Sequence, residues 1–194
     1  LYQHSYCYHL FNPNVMNTYS EQSYILNFWG YLFETYFGER SDICQQWGDT
    51  ISDSCKDSNL NFKLDLQIIV SNMNHENIDL GNAEFAKQAV TNKNKYYNDK
   101  TKSLLAAKVH LNHIITNTKH LPPQIARNMP VLQTIGTSCR IFVLSLVNNG
   151  VYLLRRVHYI SYPITNHEIK KNDSIQKIII GLALVEVRDT SKYR

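Results

Sequence analysis

Between Ile25 and Phe37 the chain sets Ile25, Phe28, Trp29, Leu32, Phe33, Tyr36 and Phe37 at spacings of three and four, the period of one helical face. A face this wide and aromatic needs a broad apolar partner, such as a β-sheet. Ser20, followed by Glu21 and Gln22, is suited to cap the start of the helix, and Gly38 to end it. The constraint on the remaining chain is therefore to supply strands.

It does so in two groups. Ile43–Ser52 predicts a short strand carrying Trp47-Gly48-Asp49-Thr50, and Asp53–Asn59 a polar loop. Phe62–Val70 alternates, with Phe62, Leu64, Leu66, Ile68 and Val70 on one face and Lys63, Asp65, Gln67 and Ile69 on the other. Ser71–Glu76 reads as a turn and Ile78–Lys87 as the returning strand, with Gly81-Asn82 a bend or bulge. Asp99–Thr118 is helical, with Leu104, Leu105, Val109, Leu111 and Ile115 inward and lysines outward, and Pro122-Pro123 forbids its continuation. Thr137–Val147 and Val151–Ser161 form a hairpin around Asn148-Asn149-Gly150. Asn166–Val187, apolar nearly all round from Ile175, predicts a buried last helix. The order helix, three strands, helix, two strands, helix predicts one α/β domain over residues 21–190, a mixed and mostly antiparallel sheet flanked by helices. Residues 1–20 form an irregular arm from which Tyr2, Tyr6 and Tyr8 can pack back onto the domain.

Composition narrows the function. Twenty Lys and Arg against 16 Asp and Glu give +4 over 194 residues. That excludes a histone-like polycation, while leaving room for a local nucleic-acid groove. No apolar run is long enough for a membrane span. The four cysteines are scattered without a C-x-x-C pair, which argues against structural zinc and for free thiols in a reducing compartment, a Cys44–Cys55 disulfide being the alternative. The segment before Asn17 has no secretion-signal pattern, so the expected location is intracellular, nucleus or cytoplasm. No Gly-rich phosphate loop points to a nucleotide cofactor and no nucleophile elbow to Ser or Cys catalysis. His110 and His113, three apart on a helix, are expected to be exposed.

Asp65 is the residue that asks for an explanation. A carboxylate in the middle of an apolar strand loses hydration at a cost of several kcal/mol unless it is paired or metal-bound. Lys63 and Gln67 share its face, so a satisfied polar network is one answer. A divalent-metal site is the other, and it needs a second carboxylate on the adjacent strand. Glu84 lies 19 residues on, room for a strand, a turn and a return. Two such carboxylates suit Mg²⁺ or Mn²⁺ and leave positions for water and a phosphate oxygen, while Lys87 adds a cation nearby. The alternative for Glu84 and Lys87 is an exposed pair on an ordinary strand. Asp49, in its turn-like tetrad, either caps that turn or approaches the site.

The order of elements, with Phe62-Lys63-Leu64-Asp65-Leu66 on the second strand and Asn82-Ala83-Glu84-Phe85-Ala86-Lys87 on the third, resembles the restriction-endonuclease-like, PD-(D/E)XK nuclease superfamily. From Ile25 to Val187 the chain is also similar to a group of fungal proteins of unassigned activity. The nuclease resemblance implies an α-β-β-β-α-β core and hydrolysis of DNA or RNA phosphodiesters. It makes Asp65 and Glu84 the metal ligands, Lys87 the motif lysine and Glu34 a further acid from the first helix. It also offers Lys100, Lys102 or Lys108 to phosphate from the next helix. A solvated lysine face is the plainer reading of that helix, although Lys93–Lys102 with Tyr96 and Tyr97 also suits a nucleic-acid backbone. One spacing departs from the superfamily: two residues, not one, separate Glu84 from Lys87. Strand alternation then sends them to opposite faces unless a bulge or a change from strand to helix intervenes between them. Without one, Lys63 takes the cationic role, or the chain is an inactive nuclease-fold module that binds nucleic acid or protein.

Overall fold

The aromatic face of the first helical segment lies on a sheet. The computed structural model describes residues 7–71, 77–87, 93–117, 127–170 and 173–186, so the turn residues 72–76, Pro122-Pro123, Tyr2, Tyr6 and Val187 lie outside the described residues. Six strands form one sheet in chain order: β1 (Ile43–Thr50), β2 (Leu64–Ser71), β3 (Asn77–Ala86), β4 (Asn128–Ile135), β5 (Ser138–Asn148) and β6 (Val151–Ser161). Every neighbouring pair is antiparallel except β3 with β4. A parallel pair needs a crossover, and the longest helix supplies it.

The helices are α1 (Pro13–Met16), α2 (Glu21–Tyr24), α3 (Gly30–Phe37), α4 (Asp53–Asp57), α5 (Lys93–Asn117), α6 (Asn166–Lys170) and α7 (Asp173–Glu186). Ser20 caps α2 with its hydroxyl on the Ser23 N–H. Five residues between α2 and α3, Ile25–Trp29, are wound as a π-helix, which brings Phe28 and Trp29 into the core beside Phe33 and Phe37. These rings meet Leu66, Ile68 and Val70 of β2, Ala83 and Phe85 of β3 and Leu132 of β4, while Ile178, Leu182 and Val185 of α7 complete the layer. The other face of the sheet carries α5, with Ala107, Leu111 and Ile114 against Met129, Val131, Phe142 and Leu144. The result is a single α/β domain with a mixed six-stranded sheet between two helical layers.

One irregularity decides what faces α5. Ile68 pairs with Gly81 and Ile69 with Asp79, so Leu80 is an extra residue in β3. The bulge reverses the alternation: Leu80 points to the aromatic layer before it, and Ala83 and Phe85 after it. Asn82 and Glu84 therefore turn towards α5, as Asp79 does on the other side of the bulge. Gly81 suits the close approach of β4, since a Cβ would lie 3.1 Å from both the Pro130 ring and its carbonyl oxygen, a tight contact.

Several expectations are corrected. The polar stretch after β1 is not all loop, because the Ser52 hydroxyl accepts from the Cys55 N–H and caps α4. β4 has no counterpart in the sequence reading, because Pro130 marks its segment as an unlikely strand. The long helix starts at Lys93, six residues before the predicted Asp99. Its inward residues include Ser103, Ala106, Ala107 and Ile114, whereas Leu105 is exposed. His110, expected outside, is fully buried. The last helix is not buried all round: Ile175, Ile179 and Ile180 of α7 are exposed, because α7 lies over the sheet's last strand and only one of its sides meets the core. In the arm, Phe11 and Met16 are buried while Tyr8 is exposed. The four cysteines are free thiols. Among the described residues no helix is long and apolar enough to cross a membrane.

Phe33 touches Trp29, Phe37, Trp47 and Phe85 and joins the first helical layer to β1 and β3. Phe33→Ala is expected to cost about 3–5 kcal/mol, read as a lowered urea midpoint with an unchanged slope.

Candidate functional site

Antiparallel pairing brings the two predicted acids together. One residue beyond the Leu66–Ala83 pair, Asp65 and Glu84 stand beside each other on the face towards α5. The Asp65 carboxylate accepts from the Phe85 N–H at 2.7 Å, which ties it to the third strand. Glu84 is 3% exposed, and its Oε2 is 2.7 Å from the Lys102 ammonium. Its Oε1 is buried with no hydrogen-bond partner.

The charges explain the protonation. Burial, then the neighbouring Asp65, push Glu84 up to about 8, against the opposing pull of Lys102. Burial also raises Asp65, held back by the Phe85 N–H and Lys102. Asp99, one turn before Lys102 on α5, is raised by burial too and opposed by Lys102 and Lys95. Three carboxylates thus crowd around Lys102, and the local balance is negative.

The remaining predicted residues fall in different places. No bulge interrupts the run Glu84–Gln133, Phe85–Thr134, Ala86–Ile135 between β3 and β4, so the condition for Lys87 to join Glu84 is not met within the strand. Lys87 is half-buried just beyond the strand end. Lys102 of α5 provides the ammonium at Glu84 instead. Lys63 is exposed and lies 3.9 Å from Asp49, whose charge Asp65 also feels. Glu34 accepts from the Trp47 indole N–H at 2.5 Å; Trp47 pairs with Leu66, so this contact is on the aromatic side of the sheet, away from Glu84. Lys100 sits over the Phe142 ring and Lys108 over the Tyr152 ring. Of the three helix lysines, only Lys102 reaches the carboxylates.

Residues that the sequence did not single out complete the surroundings. A small recess is lined by Glu84, Tyr96, Asp99 and Gln133. Gln133 neighbours Glu84 in the β3–β4 register, and Arg140 neighbours Gln133 across β4–β5. The Arg140 guanidinium donates to the Tyr96 hydroxyl at 2.8 Å. Gln133 and Arg140 were not legible as neighbours of Glu84 because β4 itself was missed. Among the described residues, no three His, Cys, Asp or Glu side chains are grouped so as to hold a metal.

A second polar cluster is separate. His110 Nε2 is 2.7 Å from the Ser52 hydroxyl, 3.6 Å from Cys55 Sγ and 3.6 Å from Asp79 Oδ2. Hydroxyl, thiol and carboxylate all meet one ring nitrogen, whereas a nucleophile–base–orienter relay uses both. The cluster joins α4 to α5 and to β3 before the bulge.

No family model matches the chain, and no curated protein and no solved structure matches it either.

The raised Glu84 makes a pH prediction. The folded chain keeps a proton that the unfolded chain releases above its ordinary value of 4.5. Stability from this group therefore falls as pH rises from about 4.5 to about 8 and then levels, by at most about 1.4 kcal/mol per pH unit. Glu84→Gln is expected to flatten the denaturation midpoint over that window and to be more stable than the parent at pH 8.

Proposed function

We propose that the chain is a metal-dependent phosphodiesterase of the restriction-endonuclease-like type, acting on DNA or RNA. The single observation that carries this reading is the pairing of half-buried Asp65 with buried Glu84 on adjacent strands, with one Glu84 oxygen left without a partner. Two further features support it. The chain runs helix, three antiparallel strands, helix, then a strand parallel to the third, the order of an α-β-β-β-α-β core. Lys102 brings to Glu84 the cation that the spacing of Lys87 withholds.

The donor set fits Mg²⁺ or Mn²⁺, which take oxygen ligands and use one or two carboxylates. Asp65 and Glu84 would hold it. When bound, such an ion supplies Lewis acidity, acidifying water and drawing charge from a phosphate oxygen. The chain's own residues do the rest. The Phe85 N–H fixes the Asp65 carboxylate, so that it meets the substrate already oriented. Lys102 opposes the repulsion between the acids and offers its ammonium to negative charge developing on the phosphate. Lys100, Lys108 and Arg140 add positive charge along α5 and β5 for the nucleic-acid backbone.

A second reading has an observation of its own. Lys102 already engages Glu84, and an ion pair that closes on itself suits a nuclease-fold module that binds nucleic acid or protein without cutting.

A cleavage assay on single- and double-stranded DNA and RNA, with Mg²⁺ or Mn²⁺ at pH 8, separates the two. Asp65→Asn and Glu84→Gln are expected to abolish cleavage, and Lys102→Met to slow it about 10²–10³-fold. Lys87→Met should cut at the parent's rate. Salt-sensitive binding without cleavage in the parent supports the second reading and overturns the first.

A further inference from the structure

Two buried oxygens have no hydrogen-bond partner: Glu84 Oε1 and Gln133 Oε1. Their residues are adjacent in the parallel register of β3 and β4 and line the same recess. Gln133 is 5% exposed, and its amide nitrogen donates to the Tyr96 carbonyl at 3.0 Å. That bond settles which end of the amide is which, since the reversed side chain would set two carbonyl oxygens against each other. The oxygen is held on the opposite end of the amide from the Tyr96 carbonyl.

Once Glu84 is ionised, above about pH 8, both oxygens are acceptors, and burying an acceptor without a donor is costly. Asp65 and Asp99 both act on Glu84, Lys102 answers only its other oxygen, and Arg140, the cross-strand neighbour of Gln133, is engaged by the Tyr96 hydroxyl. Paired acceptors in a negative setting are matched by a cation. A neutral amide oxygen adds a hard ligand there without the repulsion that a further carboxylate would bring.

We infer that Gln133 is a third protein ligand, through Oε1, to the divalent cation held by Asp65 and Glu84. The inference rests on the metal reading of that pair and extends the site from two strands to three.

The test uses the full chain without nucleic acid, titrated with Mn²⁺ at pH 8.5 and followed by the paramagnetic-resonance signal of the free ion. The parent should bind saturably, and Asp65→Asn and Glu84→Gln should lose that binding. Gln133→Met is expected to weaken it about tenfold or more. Gln133→Asn, which keeps the amide but draws the oxygen back by one methylene, should weaken it similarly. It serves where the Met variant, checked by circular dichroism, does not fold. Should both Gln133 variants bind Mn²⁺ as the parent does while the carboxylate variants do not, Gln133 is no ligand and the two-carboxylate site stands. If the parent itself shows no saturable binding, the inference and the metal reading fall together.

Discussion

The extra residue in β3 is the constraint on which the candidate site depends. A strand shows alternate residues to opposite faces, and a shift of one reverses every later side chain. With Leu80 inserted, Asp79 before the bulge and Asn82 and Glu84 after it all face α5, while Leu80, Ala83 and Phe85 all face the aromatic layer. A regular strand of the same sequence would send either Asp79 or Glu84 among the rings of Phe33 and Trp47. The bulge also places Gly81 where β3 passes close to Pro130 of β4, the strand that carries Gln133 beside Glu84.

A polar row then crosses four strands: Asp65 on β2, Glu84 on β3, Gln133 on β4 and Arg140 on β5. It occupies one end of the α5 face, whose other end is apolar. For stability alone this is a poor use of buried surface. Desolvated carboxylates beside one another raise each other's proton affinity, and apolar residues of similar volume commonly do as well or better in such positions. Groups that are strained electrostatically are candidates for function on physical grounds. The same reasoning separates this row from the His110 cluster. There a hydroxyl, a thiol and a carboxylate meet one nitrogen of a fully buried imidazole, an arrangement that fastens three elements together.

How much of this was legible in the sequence depended on whether the signal was local. The aromatic helix, the alternation of β2 and the juxtaposition of Asp65 with Glu84 follow from periods of 3.6 and 2 and from one hairpin. β4 was hidden because Pro130 breaks the usual strand signal. In the fold Pro130 sits beside Gly81, a contact between positions far apart in the chain. Gln133 and Arg140 were lost with it. His110 was misread for a related reason: its partners Ser52, Cys55 and Asp79 come from two other elements, so nothing near it in sequence foretells burial. Ile175, Ile179 and Ile180 erred the other way. An all-apolar helix predicts burial only if enough sheet remains to cover it, and α7 lies over the last strand.

The lysine illustrates what spacing can and cannot determine. In a strand, an acid and a base share a face only at even separations, which parts Glu84 from a base three residues on; Lys87 itself lies just beyond the end of β3, where alternation no longer fixes its direction. A helix packed over that face has no such restriction: its side chains descend from above, and a long, flexible lysine can place its ammonium beside a carboxylate from a range of positions along the axis. Lys102 does this, 2.7 Å from Glu84. What the proposed chemistry needs is a positive charge at that point in space, and the element that brings it is immaterial to the phosphate. The departure from the superfamily spacing is therefore an argument about which residue carries the charge. It bears on whether the site works only if Lys102 is held so firmly by Glu84 that it cannot turn to a substrate, and a side chain still 26% exposed retains the freedom to do so.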